Sequence, residues 1–236
     1  MSTLEGKVAV ITGASRGIGA AIAHALADRG VRLGLASRSG DDLGISGAVA
    51  LPTDVRDRAQ VQALVDATAE RHGGLDVLVA NAGVGAFGPL AELDPAHVDE
   101  MIDTNVKGVI YAAAAAIPHL IARGGGDLVS VASDAGRRGF PNEAVYCASK
   151  FAQVGLTRAL DHELRPHGIR CTNVCPGSVA TEFAAGAGRR PSGVPEQEGI
   201  MSADDVAEAV LFALSRPRNH RILEVTFRSM TEASWG

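Results

Sequence analysis

At 236 residues, with 46% hydrophobic and only 4% aromatic side chains and a net charge of −5, the chain suits one α/β domain packed from Ala, Val and Leu. The acidic balance and the lack of a basic block exclude the electrostatic footprint of a nucleic-acid partner, and no uncharged apolar run reaches the roughly 18 residues of a membrane span. Three cysteines (Cys147, Cys171, Cys175) are odd in number and lack metal-site spacing, so they read as reduced thiols of a cytoplasmic protein that binds no metal.

A β-branched run, Lys7–Thr12, begins so near Met1 that no signal peptide is expected ahead of it. A glycine turn and an Ala-rich helix from about Ile18 to Arg29 follow. The spacing then predicts strands at Val31–Ser37, Ala48–Leu51, Leu75–Ala80, Asp127–Ala132, Ile169–Val174 and Ile222–Phe227. Helical patterns occupy Asp57–His72, Pro95–Ala122 and Ala144–Arg165, and a last helix begins at Ser202 and ends before Pro217. Asp94-Pro95 is a start signal, Pro166 and Gly168 a stop, and Ser202 with Asp205 resembles a capping box with a shorter acid. Apolar strands alternating with helices imply a Rossmann-like, doubly wound, seven-stranded parallel sheet flanked by helices, in a single domain over residues 1–236. Between Ser39 and Ala48 only ten residues are available, short of the about a dozen a crossover helix needs, so a turn or loop is expected there, leaving the adjoining site more open.

Such sheets bind ligands beyond the carboxyl ends of their strands. After the first strand stands Thr12-Gly13-Ala14-Ser15-Arg16-Gly17-Ile18-Gly19, where glycines let the backbone turn tightly and approach a pyrophosphate, and the following helix offers its unpaired N–H groups. Glycines alone signal little in a chain with 28 of them; a bland turn is the competing explanation, and placement between a strand and an Ala-rich helix favours a dinucleotide. The spacing G-x-x-x-G-x-G, with Asn81-Ala82-Gly83 after the fourth strand, Asn105 in a helix, Ser133 after the fifth, Tyr146-Cys147-Ala148-Ser149-Lys150 and Pro176-Gly177 leading to Thr181, resembles the short-chain dehydrogenase/reductase family, from Lys7 to about Phe227.

Carbonyl reduction needs a hydride on one side and a proton for the developing alkoxide on the other. Tyr146 and Lys150 lie four residues apart, on one face of a helix, and an ammonium near a phenol favours its ionised form. A half-exposed Tyr and Lys or a loop Ser would each be unremarkable alone. The resemblance implies the further roles: Lys150 on the nicotinamide ribose, Ser133 donating to the substrate carbonyl, Asn105 holding a water that joins Lys150 to solvent. It also implies cofactor contacts from Gly13, Ser15, Arg16, Gly17, Ile18, Gly19, Asp54, Val55, Asn81, Ala82, Gly83, Tyr146, Lys150, Pro176, Gly177, Val179 and Thr181, with Asp54 at the adenine.

NADP(H) is expected over NAD(H), because Leu35-Ala36-Ser37-Arg38-Ser39 carries no acid at the end of the second strand. Arg38 would pair with the 2′-phosphate, Ser37 and Ser39 donate to it, and Arg16 supply a second cation. Solvated surface arginines are the competing explanation, and Asp41 and Asp42 could fold back on the ribose. Around the substrate the resemblance implies Asp134, Ala135, Phe140, Asn142 and Phe183, with a mobile lid over about 182–200 that includes Arg189-Arg190. Arg137-Arg138 is either an anchor at the entrance or plain surface charge. Function is expected to be an oxidoreductase interconverting a small carbonyl compound and an alcohol, in a homotetramer or homodimer. A dinucleotide-binding sensor or scaffold is the alternative, and epimerisation or dehalogenation on this fold fits the glycine spacing and the intact Tyr–Lys pair less well.

Overall fold

The computed structural model describes residues 3–184 and 199–232. Seven parallel strands run in the order β3-β2-β1-β4-β5-β6-β7: β1 (Val8–Thr12), β2 (Arg32–Ser37), β3 (Val49–Pro52), β4 (Val77–Ala80), β5 (Gly126–Val131), β6 (Ile169–Pro176) and β7 (Glu224–Phe227). Helices α1 (Gly17–Ala27), α2 (Arg58–His72), α3 (Pro95–Ile102), α4 (Gly108–Ala122), α5 (Ala144–Leu164) and α6 (Ala203–Leu214) cover both faces. Alternate strand residues divide between the layers, as a pleat requires. Ala9, Ile11, Leu33, Leu35, Val77 and Val79 pack with α1 and α6, whereas Val8, Val10, Leu78 and Leu128 pack with α2, α4 and the end of α5.

Helix ends follow their residues. Asp57 accepts from the Ala59 and Gln60 amides at 2.8 and 3.2 Å, and Gly73 closes α2 in the left-handed region. Ser202 and Asp205 make both bonds of the capping box. Between β2 and β3 there is no helix. Asp41 and Asp42 instead accept from the Leu43 and Gly44 amides at 2.8 and 2.9 Å, and Leu43 takes φ 56°.

The expected single helix Pro95–Ala122 is continuous but contains a π-turn at Asp103–Lys107. Over its most apolar 18 residues the mean hydropathy is 1.3, so by length and composition it could cross a membrane; here Val109, Ala112, Ala113 and Ala116 are buried. At the sheet's other end, Asp76 accepts from Lys7 Nζ at 2.9 Å, the Val8 amide at 3.0 Å and Arg123 Nε at 3.2 Å, joining the first strand to α4's exit. Consecutive strands β1, β2 and β3 spread one way while β4 lies on the other side of β1, so the chain leaves a crevice beyond the carboxyl ends of β1 and β4.

Candidate active site

The crevice is built by contact between the two glycine-bearing turns. Thr12 Oγ1 accepts from the Asn81 and Ala82 amides at 3.0 Å each, and Asn81 Nδ2 donates to the carbonyls of Thr12 and Gly13 at 3.0 and 3.1 Å. Gly13 has φ 66°, and a Cβ there would stand 2.8 Å from Ala82 Cα; a Cβ on Gly19 would strike the Gly13 carbonyl oxygen. These positions are glycine because neighbouring backbone occupies the space. α1 then starts at Gly17 with no side-chain cap from Arg16, so its first amides face outward as an anion would need. A cavity of about 430 Å³ extends over this turn; its walls include Ser15, Ile18, Ser37, Arg38, Asp54, Val55, Gly83, Ser133, Pro176, Gly177, Val179 and Thr181. A glycine cradle, uncapped helix amides and a trough of that size fit a dinucleotide.

At the cavity's far end Ser37 is buried, its Oγ accepting from the Gly40 amide at 3.1 Å. Ser39 is exposed, stands 3.2 Å from Ser37 Oγ and is not on the wall, so its expected place beside a phosphate is indirect. Asp41 and Asp42 hold their own turn and are not on the wall either. Asp54 is clamped by Arg56, whose Nε and Nη2 reach its two oxygens at 2.9, 3.0 and 2.5 Å. That guanidinium hydrogen bond holds the Asp54 carboxyl below its ordinary value, against some desolvation. Arg56, a third cation on the wall beside Arg16 and Arg38, was not expected from the sequence, although an acid and a base two residues apart is the pattern that would suggest it. Arg16 reaches Glu182 at 3.1 Å, with both side chains largely exposed, and so leans toward the substrate loop.

At the near end, Tyr146 and Lys150 are buried on one face of α5, with Nζ 5.7 Å from the phenol ring centroid. Lys150 Nζ also donates to the Val131 carbonyl at 3.3 Å. Ser133 caps the turn Asp134–Gly136, accepting from the Ala135 amide at 3.1 Å and donating to Asp134 Oδ1 at 3.2 Å. Asn105 lies in the π-turn, wholly buried. Its Oδ1 accepts from the Val84 amide at 2.8 Å, Nδ2 donates to the Val84 carbonyl at 2.9 Å and Ser149 Oγ at 3.0 Å, and its carbonyl accepts from Gln153 at 2.8 Å. Only Gly83 separates it from the lysine: a Cβ there would lie 3.4 Å from Asn105 Oδ1 and 3.6 Å from Lys150 Nζ. Ser133 is on the cavity wall; Tyr146, Lys150 and Asn105 lie beyond it.

The expected substrate residues separate into groups. Ala135, Phe140 and Phe183 cluster about Tyr146, whereas Asn142 is exposed with φ 63°. Asp134 is buried and paired with Arg228 at 3.1 Å, and Arg228 Nη2 also reaches Glu232 at 2.7 Å. Glu232 Oε1 accepts from the Ser178 amide at 2.8 Å and would stand 2.6 Å from a Gly177 Cβ. No sequence signal pointed to Arg228 or Glu232, which are brought to the site by the segment after β7. Phe87, which no sequence feature singled out, meets the Tyr146 ring edge-on at 5.3 Å. Arg137 pairs with Glu224 at 3.3 Å and Arg138 lies 4.5 Å over the Phe140 ring, so neither is simple solvated charge. Most of the expected lid, with Arg189-Arg190, lies outside the described residues. The three thiols are buried; burial pushes Cys171 up to about 12 and Cys175 up to about 11, and no cluster of metal-binding groups occurs among the described residues.

The model of the family of short chain dehydrogenases matches residues 7–191. A glycine betaine reductase of Emericella nidulans is 39% identical over 97% of this chain, which spans only 19% of that protein's length. An uncharacterised oxidoreductase of Staphylococcus aureus is 34% identical over 97% of this chain and 99% of its own. Among solved structures, an alcohol dehydrogenase of Thermococcus sibiricus complexed with 5-hydroxy-NADP superposes with a TM-score of 0.87 at 35% identity, over 98% of this chain and 99% of that one. Carveol dehydrogenase of Mycobacterium avium in complex with NAD gives 0.86 at 30%, over 96% and 98%. Glycine turn, crevice and matched length agree: the chain belongs to the short-chain dehydrogenase family of NAD(P)-dependent oxidoreductases.

Proposed function

We propose that the protein is an NADP(H)-dependent oxidoreductase that interconverts a ketone or aldehyde and its alcohol. The observation that carries this reading is the buried pair on α5, with Lys150 Nζ 5.7 Å from the Tyr146 ring, beside a dinucleotide-sized cavity on whose wall Ser133 stands. When bound, the nicotinamide supplies or accepts the hydride. Tyr146 gives its phenolic proton to the developing alkoxide, and the Lys150 ammonium favours the phenolate left behind. Ser133 Oγ turns from Asp134 to donate to the substrate oxygen. Asn105, beside Lys150 across Gly83, orients the route by which the tyrosine recovers its proton. Preference for the 2′-phosphate is supported by Ser37 and Arg38 on the wall and by Asp41 and Asp42 being held in their own turn. The Thermococcus relative complexed with 5-hydroxy-NADP agrees with that preference, while the Mycobacterium relative holds NAD. Exposed Ile110, Ile121, Phe151 and Phe212 on α4, α5 and α6 support a homodimer or homotetramer, and the buried, reduced thiols suit the cytoplasm.

Titrating NADPH and NADH and then following cofactor absorbance with a panel of carbonyl compounds tests the proposal. Tyr146→Phe should keep NADPH affinity and lose about 10²–10⁴-fold in turnover; a variant as fast as wild type removes the phenol from the mechanism. Arg38→Ala should raise the KM for NADPH by about 10–100-fold, the loss of one charge-assisted hydrogen bond, with little change for NADH. Equal effects would remove the phosphate pairing. Tight NADPH binding with no turnover on any carbonyl would leave the sensor alternative.

A further inference from the structure

The side chains around Tyr146 carry more information than the family's shared chemistry requires. In a chain only 4% aromatic, three of its six phenylalanines, Phe87, Phe140 and Phe183, gather at this one place. Phe87 meets the tyrosine ring at 5.3 Å and 70°, and Phe183 meets it at 5.8 Å and 52°. Both rings converge over Gly85: a Cβ there would lie 2.6 Å from Phe87 Cζ and 3.0 Å from Phe183 Cζ, so the glycine makes room for them. Val84, Ala86, Leu93, Met101 and Ala135 complete an apolar surround. The cavity reaches it, since Val84, Ser133 and Phe183 stand on its wall. The charged groups at its border are engaged: Asp134 with Arg228, Arg137 with Glu224, and Arg138 over the Phe140 ring. A core built of Ala, Val and Leu had no need of rings here, and rings present flat faces that stack on flat ligands.

We propose that the substrate is an uncharged ketone or secondary alcohol bearing a flat aryl ring, packed against the cluster of Phe87, Phe140 and Phe183 with its oxygen toward Ser133 and Tyr146. This rests on the oxidoreductase reading above. In the reductive direction the carbonyl carbon gains a C–H bond from the NADPH hydride, its oxygen gains the Tyr146 proton, and NADP⁺ and a solvent-reprotonated tyrosine remain. A carboxylate or phosphate on the ring would be desolvated against the phenylalanine faces, and the described cations Arg137 and Arg138 are already engaged with Glu224 and the Phe140 ring, which disfavours sugar phosphates and keto acids.

The test compares NADPH oxidation with acetophenone, 4-acetylbenzoate and 2-pentanone. Acetophenone should exceed both others in kcat/KM by about thirtyfold or more. Phe87→Ala and Phe183→Ala should each lower the acetophenone value by about tenfold, mainly through KM, and should lower it more than the value for 2-pentanone. Turnover that favours the carboxylated or the acyclic ketone overturns the ring proposal and leaves the oxidoreductase intact. Calorimetry of 1-phenylethanol against the enzyme–NADP⁺ complex provides a readout without turnover. Binding that Phe87→Ala weakens about tenfold supports the ring site even if no ketone is reduced, in which case the oxidoreductase reading fails instead. No binding, or binding that neither substitution alters, overturns the ring site.

Discussion

Replacing Arg228 by Met should be among the most damaging single changes outside the glycine turn. The arginine sits between two carboxylates, Asp134 at 3.1 Å and Glu232 at 2.7 Å, with side-chain exposures of 15%, 8% and 10% for Arg228, Asp134 and Glu232. Methionine keeps much of the volume but leaves both acids without their cation in a nearly dry place. Breaking a buried pair from one side costs about 3–5 kcal/mol, and the residual solvent access argues for the low end, about 3 kcal/mol. At about 2–4 °C per kcal/mol for a domain of this size, the melting temperature should fall by about 6–12 °C. Because Asp134 also accepts from Ser133, an Asp134 that has lost Arg228 should hold that hydroxyl more strongly and lower kcat/KM about tenfold. The assay is thermal and urea unfolding with activity on the same preparation. Neutralising the acids as well, in Asp134→Asn/Arg228→Met/Glu232→Gln, should recover most of the lost stability, since the penalty comes from orphaned charge. A single variant melting within about 2 °C of wild type would refute the reasoning.

Gly19→Ala places a methyl on the Gly13 carbonyl and 2.6 Å from Asn81 Nδ2, so the cradle must open; NADPH affinity measured by fluorescence should fall at least about tenfold, while unfolding changes by about 1–3 kcal/mol. Burial pushes the Asp76 carboxyl up, but the Lys7, Val8 and Arg123 hydrogen bonds outweigh it and hold the group below its ordinary value. With the folded value depressed, its contribution is complete above the unfolded value of about 3.9 and is lost as pH falls through the folded one. Asp76→Asn should therefore be less stable than wild type at pH 7, and the gap in urea midpoint should narrow below about pH 4; a constant gap would exclude an ionic role.

Seven strands and two of the helix starts were legible because each rests on local chemistry: short apolar runs, Asp94-Pro95 ahead of one helix, Ser202 with Asp205 ahead of another; the cap at Asp57 was legible only as the first residue of its helix. The shortened β2–β3 connection was legible from chain length alone. The π-turn was not. Asn105 sits in an unbroken helical pattern, and what accompanies the widened turn is tertiary: its backbone carbonyl accepts from Gln153 and its side-chain Nδ2 donates to the Val84 carbonyl. The same holds at the site's edges. Ser39 looked equivalent to Ser37, but the turn that Ser37 caps at Gly40 leaves Ser39 outside. Arg16 stands on the cavity wall as expected of a cofactor contact, and Glu182, far along the chain, also reaches it. Phe87 and Arg228 became visible only when separate segments were brought together around Tyr146 and Asp134.

The π-turn also sets what this chain can tolerate by insertion and deletion. A turn of five residues in place of the usual stretch displaces the register of everything after it by roughly 100° relative to a regular helix. Excising one residue between Asp103 and Lys107 would yield smoother hydrogen bonding and a straighter rod. It would also swing either the Met101 side toward water or the Ala112–Ala116 side off the sheet, and carry Asn105 away from Gly83. In this segment local regularity and the meeting of distant parts oppose one another, so a gain in helix quality would dismantle the crevice.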